Sequence, residues 1–441
     1  EIRLSLVGSE MCIRDSVGSR SVAMGYGALA VQNPATATDM YNTAVGYSAG
    51  VAITTGTNNT LIGGVCGDAL TTGVQNVAVG LSALGAMTAG DKNVAIGNSA
   101  LSVANVTDGS ETFNVAVGYA AGGAVTTGIQ NTLIGGLTAD ALTDADFNVA
   151  IGYAALTSDT LGSQSTAIGY NALTFQNFTT ATNSNNTAVG FDAGQRVTTG
   201  IQNTLIGGLA GDALTDSDYN VAVGYAALGN EQLGARNVAV GRSALQAQQS
   251  TTATQSYNVA LGYAAGADVS TGVRNTIVGA LAGDAMTTGS SNTFIGNAAG
   301  GTGVVTGNDN TCVGRDAGNN VESGSNNLLL GHDAGTSGNP GGQISGTNAN
   351  TAVLGDSSIT SLNCQVALTV ASDERDKTDF VDLDLGLDFV KSLEPVTYYW
   401  DKRSKYGDKS AEDYDLNAQT PDGTHKEDWM DVGFKAQAVR D

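Results

Sequence analysis

The chain has 441 residues with 60 glycines, 4 prolines, 6% aromatic residues and a formal charge of −23. Glycine is thus at about twice its usual share of roughly 7%, and any core must be built from Ala, Val, Ile and Leu. Such acidity excludes a phosphate-binding surface and with it nucleic acid as a partner. No run of 18 apolar residues is present to span a membrane as a helix. Four dispersed cysteines (Cys12, Cys66, Cys312, Cys364) and two histidines (His332, His425) predict no disulfide framework, no resident metal and no cofactor.

In chain order, residues 1–16 fit no repeat and lack the order of a signal peptide. The string SLVGSEMCIRDS within them resembles translated sequencing-adapter read-through, so this stretch is expected to be foreign to the fold.

Residues 17–331 are dominated by a five-residue word, (Asn/Ser)-(Thr/Val)-apolar-apolar-Gly. Its glycines run from Gly25, Gly46, Gly63, Gly80, Gly97 and Gly118 to Gly331, mostly 17 residues apart, with a step of 21 at intervals. The spacings 46 to 118, 118 to 190 and 190 to 262 are each 72, so four coils form a higher-order unit. A 17-residue unit is too short for a helix pair. Its Thr, Val and Ile words, separated by TTG and AGD, read as strand and turn. The fold class predicted is therefore mainly β: a parallel β-solenoid or β-roll of 17-residue coils with a 72-residue super-repeat. Eighteen words at about 4.8 Å each imply a stack about 85 Å long.

Strand alternation puts Thr43 and Val45 on one face and Ala44 on the other. The expectation is that the Val/Ile face fills each coil and that the Ala face (Ala78, Ala95, Ala116) meets another chain. Leu61, Leu133, Leu205 and Ile277 replace that Ala every 72 residues, so packing should carry the longer period. The Asn at the head of each word (Asn42, Asn59, Asn76, Asn93) predicts a hydrogen-bonding ladder rather than glycosylation, because NTA and NTL are not sequons. Asp68, Asp140, Asp212 and Asp284 share the 72-residue spacing and are expected to cap turns rather than to bind calcium.

The words NTAVGYSAG, NVAIGNSAL and STAIGYNAL resemble the heads of trimeric autotransporter adhesins and the shafts of bacteriophage tail fibres. That resemblance implies an intertwined homotrimer.

Residues 332–371 form a connecting β segment, after which composition changes abruptly. Residues 1–371 hold 24 acidic and 9 basic residues, whereas 372–441 hold 18 and 10 in a fifth of the length, together with both tryptophans. A domain boundary near Ser372 follows. The words VALTVASDERDKTDF, LDFVKSLEPVTYYW and DVGFKAQAVRD resemble the intramolecular chaperone domain of phage tailspikes and tail fibres, a self-cleaving serine peptidase family. The resemblance implies a small α+β domain with Ser372 as nucleophile, Lys377 as its base and cleavage between Ala371 and Ser372. A short helix over Asp384–Leu393 and a strand over Val396–Trp400 are expected, with His425 in a solvated loop. In that family the GFxAQ word continues into long helices, so the chain ending at Asp441 is expected to be a piece of a longer domain, and cleavage to belong to the complete one.

The function implied is a virion tail-fibre shaft that attaches to a host cell-surface receptor, with a C-terminal domain that assists trimerisation and then cuts itself off. The alternatives are a cell-surface trimeric adhesin and a fibre whose chaperone does not cut.

Overall fold

The computed structural model describes residues 18–301, 303–336, 346–363, 396–402, 406 and 418–433. Contacts divide the chain into Glu1–Leu362 and Asn363–Asp441.

The first unit is a parallel β-solenoid. Nineteen three-residue strands, from Val22–Met24 through Thr43–Val45 and Thr60–Ile62 to Leu328–Leu330 and Ala352–Leu354, stack in one continuous order. Every junction is parallel and in register: Ala44 pairs with Leu61, Leu61 with Ala78, and Ala78 with Ala95. Among the described residues the first strand pairs only with the second and the last only with the one before it. Each word is one coil, as the spacing predicted.

Glycine closes every word because the next coil leaves no room for a side chain. Gly46 has φ +138°, and a Cβ there would lie 2.2 Å from the carbonyl oxygen of Gly63. The same column runs from Gly25 to Gly314, with 2.1–2.6 Å between each such Cβ and the next glycine's backbone. Only glycine tolerates both that φ and that approach. Elsewhere each coil turns through left-handed residues that do carry side chains, such as Ser48 (φ 53°), Asn58 (φ 60°) and Leu84 (φ 55°).

The interior is the reverse of the expected arrangement. Ala44, Ala78, Ala95 and Ala116 are fully buried inside their coils, while the flanking residues face out, with Ile62, Ile96, Ile134 and Ile206 near 40% exposure. Alternation identifies two faces without saying which is inside. A 17-residue coil encloses a space too narrow for two rows of β-branched side chains, so the single central residue of each strand points inward. The Ala face therefore cannot meet another chain. A thin coil nonetheless builds a continuous core, because Ala44, Leu61, Ala78 and Ala95 pack with Ile53, Leu70, Leu84, Met87 and Leu101 in one cluster through the stack.

The 72-residue period is carried by packing. Where Leu61, Leu133, Leu205 or Ile277 occupies the centre of a strand, the preceding coil has Gly50, Gly122, Gly194 or Gly266 opposite. A Cβ on these glycines would sit 2.6–2.8 Å from the larger side chain. At Ala95 and Ala116 the preceding coil supplies Leu84 and Leu101 instead, while at Ala78 and Ala150, which directly follow a leucine coil, it supplies Gly67 and Ala139.

The asparagine ladder is present and buried. Asn59 donates its backbone N–H to Asn42 Oδ1 at 2.9 Å and its side-chain amide to the same oxygen at 3.1 Å, and a second amide bond reaches Gly73 O at 2.9 Å. The backbone bond recurs at 2.8–3.0 Å at Asn76, Asn93, Asn131, Asn203 and Asn220. Where Ser21 and Ser165 replace the asparagine, Gln32 and Gln176 supply the missing acceptor, to Asn42 Nδ2 at 3.0 Å and Asn186 Nδ2 at 2.9 Å.

Candidate functional site

The site residues expected from sequence, Ser372, Lys377 and the Ala371–Ser372 bond, lie outside the described residues, as does the helix expected over Asp384–Leu393. What is described of the second unit is an antiparallel pair, Val396–Tyr398 with Asp431–Gly433, in which Thr397 faces Val432. The strand expected from Val396 is present and ends at Tyr398. Beside it, Asp401 accepts the Tyr406 hydroxyl at 2.7 Å and the Gly423 N–H at 2.8 Å, while the His425 N–H donates to the Tyr406 oxygen at 3.2 Å. The Lys426 ammonium lies 3.9 Å from the centre of the Tyr399 ring. His425 is exposed, as expected, with its ring edge-on to Tyr406. Trp429, Met430 and Val432 are also exposed, at 61%, 55% and 75%.

The solenoid offers a second candidate, its outward sheet face. Along each extended segment the residue before the Asn, the two strand residues flanking the centre, and the residue after the Gly all point away from the core. They form four parallel rows. The inner two are Thr, Val and Ile with Met24, Leu261, Leu328, Leu330, Ala352 and Leu354, and carry no charge. The outer two alternate aromatic and basic residues with Asn, Gln and Gly. After the Gly come Tyr26 and Tyr47, stacked at 5.7 Å, then Tyr153, Tyr170 and Phe191, stacked at 5.6 and 5.4 Å. Before the Asn, Arg236 lies between the rings of Tyr219 and Tyr257, at 5.2 and 5.7 Å. Sequence reading missed these rows because it placed the Val/Ile face inside.

Two buried carboxylates were also missed. Asp159 and Glu231, 72 residues apart, are fully buried beneath the four extra residues of the coils that follow. Asp159 accepts the N–H groups of Gly162 and Phe178 at 3.0 and 3.1 Å and the Gln176 amide at 2.6 Å. Glu231 Oε1 accepts four backbone N–H groups, from Gln232, Leu233, Gly234 and Ser250, at 2.7–3.0 Å. Surrounded by donors, they pin the longer coils and offer nothing to a cation. The shared spacing with Met87 was the signal that could have revealed them.

Of the periodic aspartates, Asp140 accepts a hydrogen bond from the Thr157 hydroxyl in the next coil. Burial pushes Asp68, Asp212 and Asp284 above the usual carboxylate range. Asp316, His332 and Asp333 bring ligand-type atoms within 4.8 Å of one another. Arg315 pairs with Asp316 at 2.9 Å, and His332 with Asp356 at 3.3 Å, so these groups read as an exposed ion-pair network. Cys66 and Cys312 are free and buried, their thiols pushed up by burial to about 11 and about 12, which makes them inert. Among the described residues no helix is long and apolar enough to cross a membrane.

No curated protein and no solved structure matches the chain at a significant level. Residues 372–441 match the peptidase family described as chaperone of endosialidase. The match begins at Ser372, where charge density rises. The chain thus joins a parallel β-solenoid to a C-terminal segment matching the chaperone-of-endosialidase family, an arrangement that fits a tail-fibre- or tailspike-like protein with a chaperone domain.

Proposed function

We propose that this chain is the shaft of a homotrimeric phage tail fibre or tailspike that engages a host-surface receptor, and that residues 372–441 template its assembly and then detach. The observation that carries this reading is the family match directly behind the solenoid, which favours a fibre over a surface adhesin. Proteins that must survive outside the cell gain from kinetic rather than equilibrium stability. A chaperone removed after folding leaves a shaft that neither refolds nor unfolds easily.

In the proposed chemistry, the Ser372 Oγ attacks the carbonyl carbon of Ala371 while Lys377, deprotonated by desolvation, takes the hydroxyl proton. The C–N bond to Ser372 breaks as that proton passes to the departing nitrogen. Water then hydrolyses the resulting ester, leaving a carboxylate on Ala371 and a free amine on Ser372. Cutting follows trimerisation, since an active pair in the unfolded chain would discard the template before use.

The test is the intact mass of the expressed full-length gene product. Native protein should yield a fragment ending at Ala371, and Ser372→Ala and Lys377→Ala should each leave a folded, uncut trimer. Processing of either variant at the same bond overturns the assignment. Loss of the trimer in both variants overturns the separation of templating from cleavage.

A further inference from the structure

We infer that the outward sheet face of the solenoid is where copies of this chain meet, the uncharged Thr/Val and Val/Ile rows turned toward a common axis and the aromatic and basic rows closing the seams. This rests on the trimeric reading above and names the surface that carries it.

Charge is sorted around the coil. Of the seven basic residues described between 18 and 362, six (Arg20, Lys92, Arg236, Arg242, Arg274, Arg315) lie in the two outer rows of this face, Arg196 being the exception. Over the same residues the four rows hold two acidic residues, Asp309 and, behind the last strand, Asp356, while the remaining acidic residues lie elsewhere on the coils. Copies of a chain with net charge −23 repel one another unless carboxylates are largely kept out of the contact, and this face holds only these two against six basic residues.

The face is also large and periodic. Nineteen strands at about 4.8 Å, and six residue steps at about 3.3 Å across, give about 1,800 Å² per copy. Shared between two neighbours, that is about 900 Å² each, close to the roughly 800 Å² per partner of a stable interface. The Val, Ile and Leu of its inner rows form an exposed apolar band along the stack, of the kind that marks a contact site. Its side-chain ridges repeat once per coil over the whole length, so a surface that interdigitates with them must have the same repeat, as a second copy of this chain does.

In a parallel three-fold arrangement equal coils lie at equal heights, and the row before the Asn in one copy faces the row after the Gly in the next. Arg20, Lys92 and Arg274 then each fall within one coil of a tyrosine in the facing row, respectively Tyr26, Tyr119 and Tyr263, whereas Arg236 stands level with Arg242, which lies over Tyr225 and Tyr263 of its own chain. The first three positions suit cation–π contacts across the seam.

Sedimentation of the full chain separates the outcomes. The pair Ile206→Glu with Val223→Glu is expected to convert trimer to monomer at micromolar concentration with the β signal retained, whereas Asp216→Lys on an exposed turn leaves the trimer intact. A trimer that survives the glutamate pair overturns the surface assignment and leaves the trimeric reading standing. A native chain that is monomeric overturns both. Should the glutamate pair fail to fold, cysteine replacements in a background with Cys12 and Cys364 changed to serine decide the matter. Val221→Cys or Val223→Cys should cross-link chain to chain and Asp216→Cys should not; the reverse pattern overturns the inference.

Discussion

Leu133 and Gly122 share one space: a Cβ on Gly122 would lie 2.6 Å from Leu133 Cδ1, so the large side chain of one coil occupies the volume given up by the coil before it. Gly122→Ala is expected to destabilise the solenoid by about 1–3 kcal/mol through overpacking. Leu133→Ala in the same chain should recover part of that loss. Denaturant midpoints of the two single variants and the double variant measure the coupling, and strict additivity would show that the two positions do not compete.

Asn203 is fully buried, and its Oδ1 accepts both the backbone N–H and the amide of Asn220, at 3.0 and 3.2 Å. Asn203→Leu therefore strands two buried donors. A loss of about 2–4 kcal/mol is expected, roughly 1–3 per orphaned group with partial relaxation. Hydrogen exchange should show local opening centred on residues 203–220.

Gln248 illustrates the opposite case. Gln176 donates to Asp159 at 2.6 Å and to Ser165 at 2.8 Å, but the equivalent of Ser165 one unit later is Asn237, and Gln248 Nε2 is buried without a partner. Gln176→Leu should thus cost more than Gln248→Leu, by about 1 kcal/mol or more. Equal losses on thermal unfolding would contradict this reading.

Asp212 supplies a pH prediction. Desolvation, the largest cause, raises its carboxyl pKa in the folded state, so the folded chain holds this proton more tightly than the unfolded chain. Its contribution to stability is greatest below the unfolded value of about 3.9 and is lost as pH rises through the folded value. Asp212→Asn should accordingly stabilise the solenoid near neutral pH, by under about 1 kcal/mol because the group is half exposed, and should have no such effect near pH 3. A variant less stable than the native chain at pH 7 would contradict it.

Asn42, Gly46 and their periodic equivalents made the coil, its length and the buried ladder legible in the sequence, because backbone constraints recur at fixed spacing whatever the surroundings. Ala44 and Val45 showed two faces but not which was inside, since that depends on the cross-section of a coil and not on alternation. Asp159 and Glu231 escaped notice for a related reason: a carboxylate is ordinarily a surface group, and only its nest of backbone N–H donors, visible in three dimensions, makes burial possible. Ser372 and Lys377 rest on the family words that surround them, as their spacing alone carries little chemistry.

The glycine column treats all coils alike and the asparagine ladder nearly all, so by themselves they would do little to stop the growing stack from slipping by one coil. The pairing of Leu61 with Gly50, and of Ala95 with Leu84, removes that freedom: a slip of one coil toward the N-terminus sets Leu61 against Leu29 and Leu133 against Leu101. Between Leu61 and Ile277, only a shift of four coils restores the fit. The core therefore works as a key with a 72-residue pitch. Shafts of this design are expected to lengthen or shorten, in duplication as in misfolding, by steps of four coils, or about 19 Å.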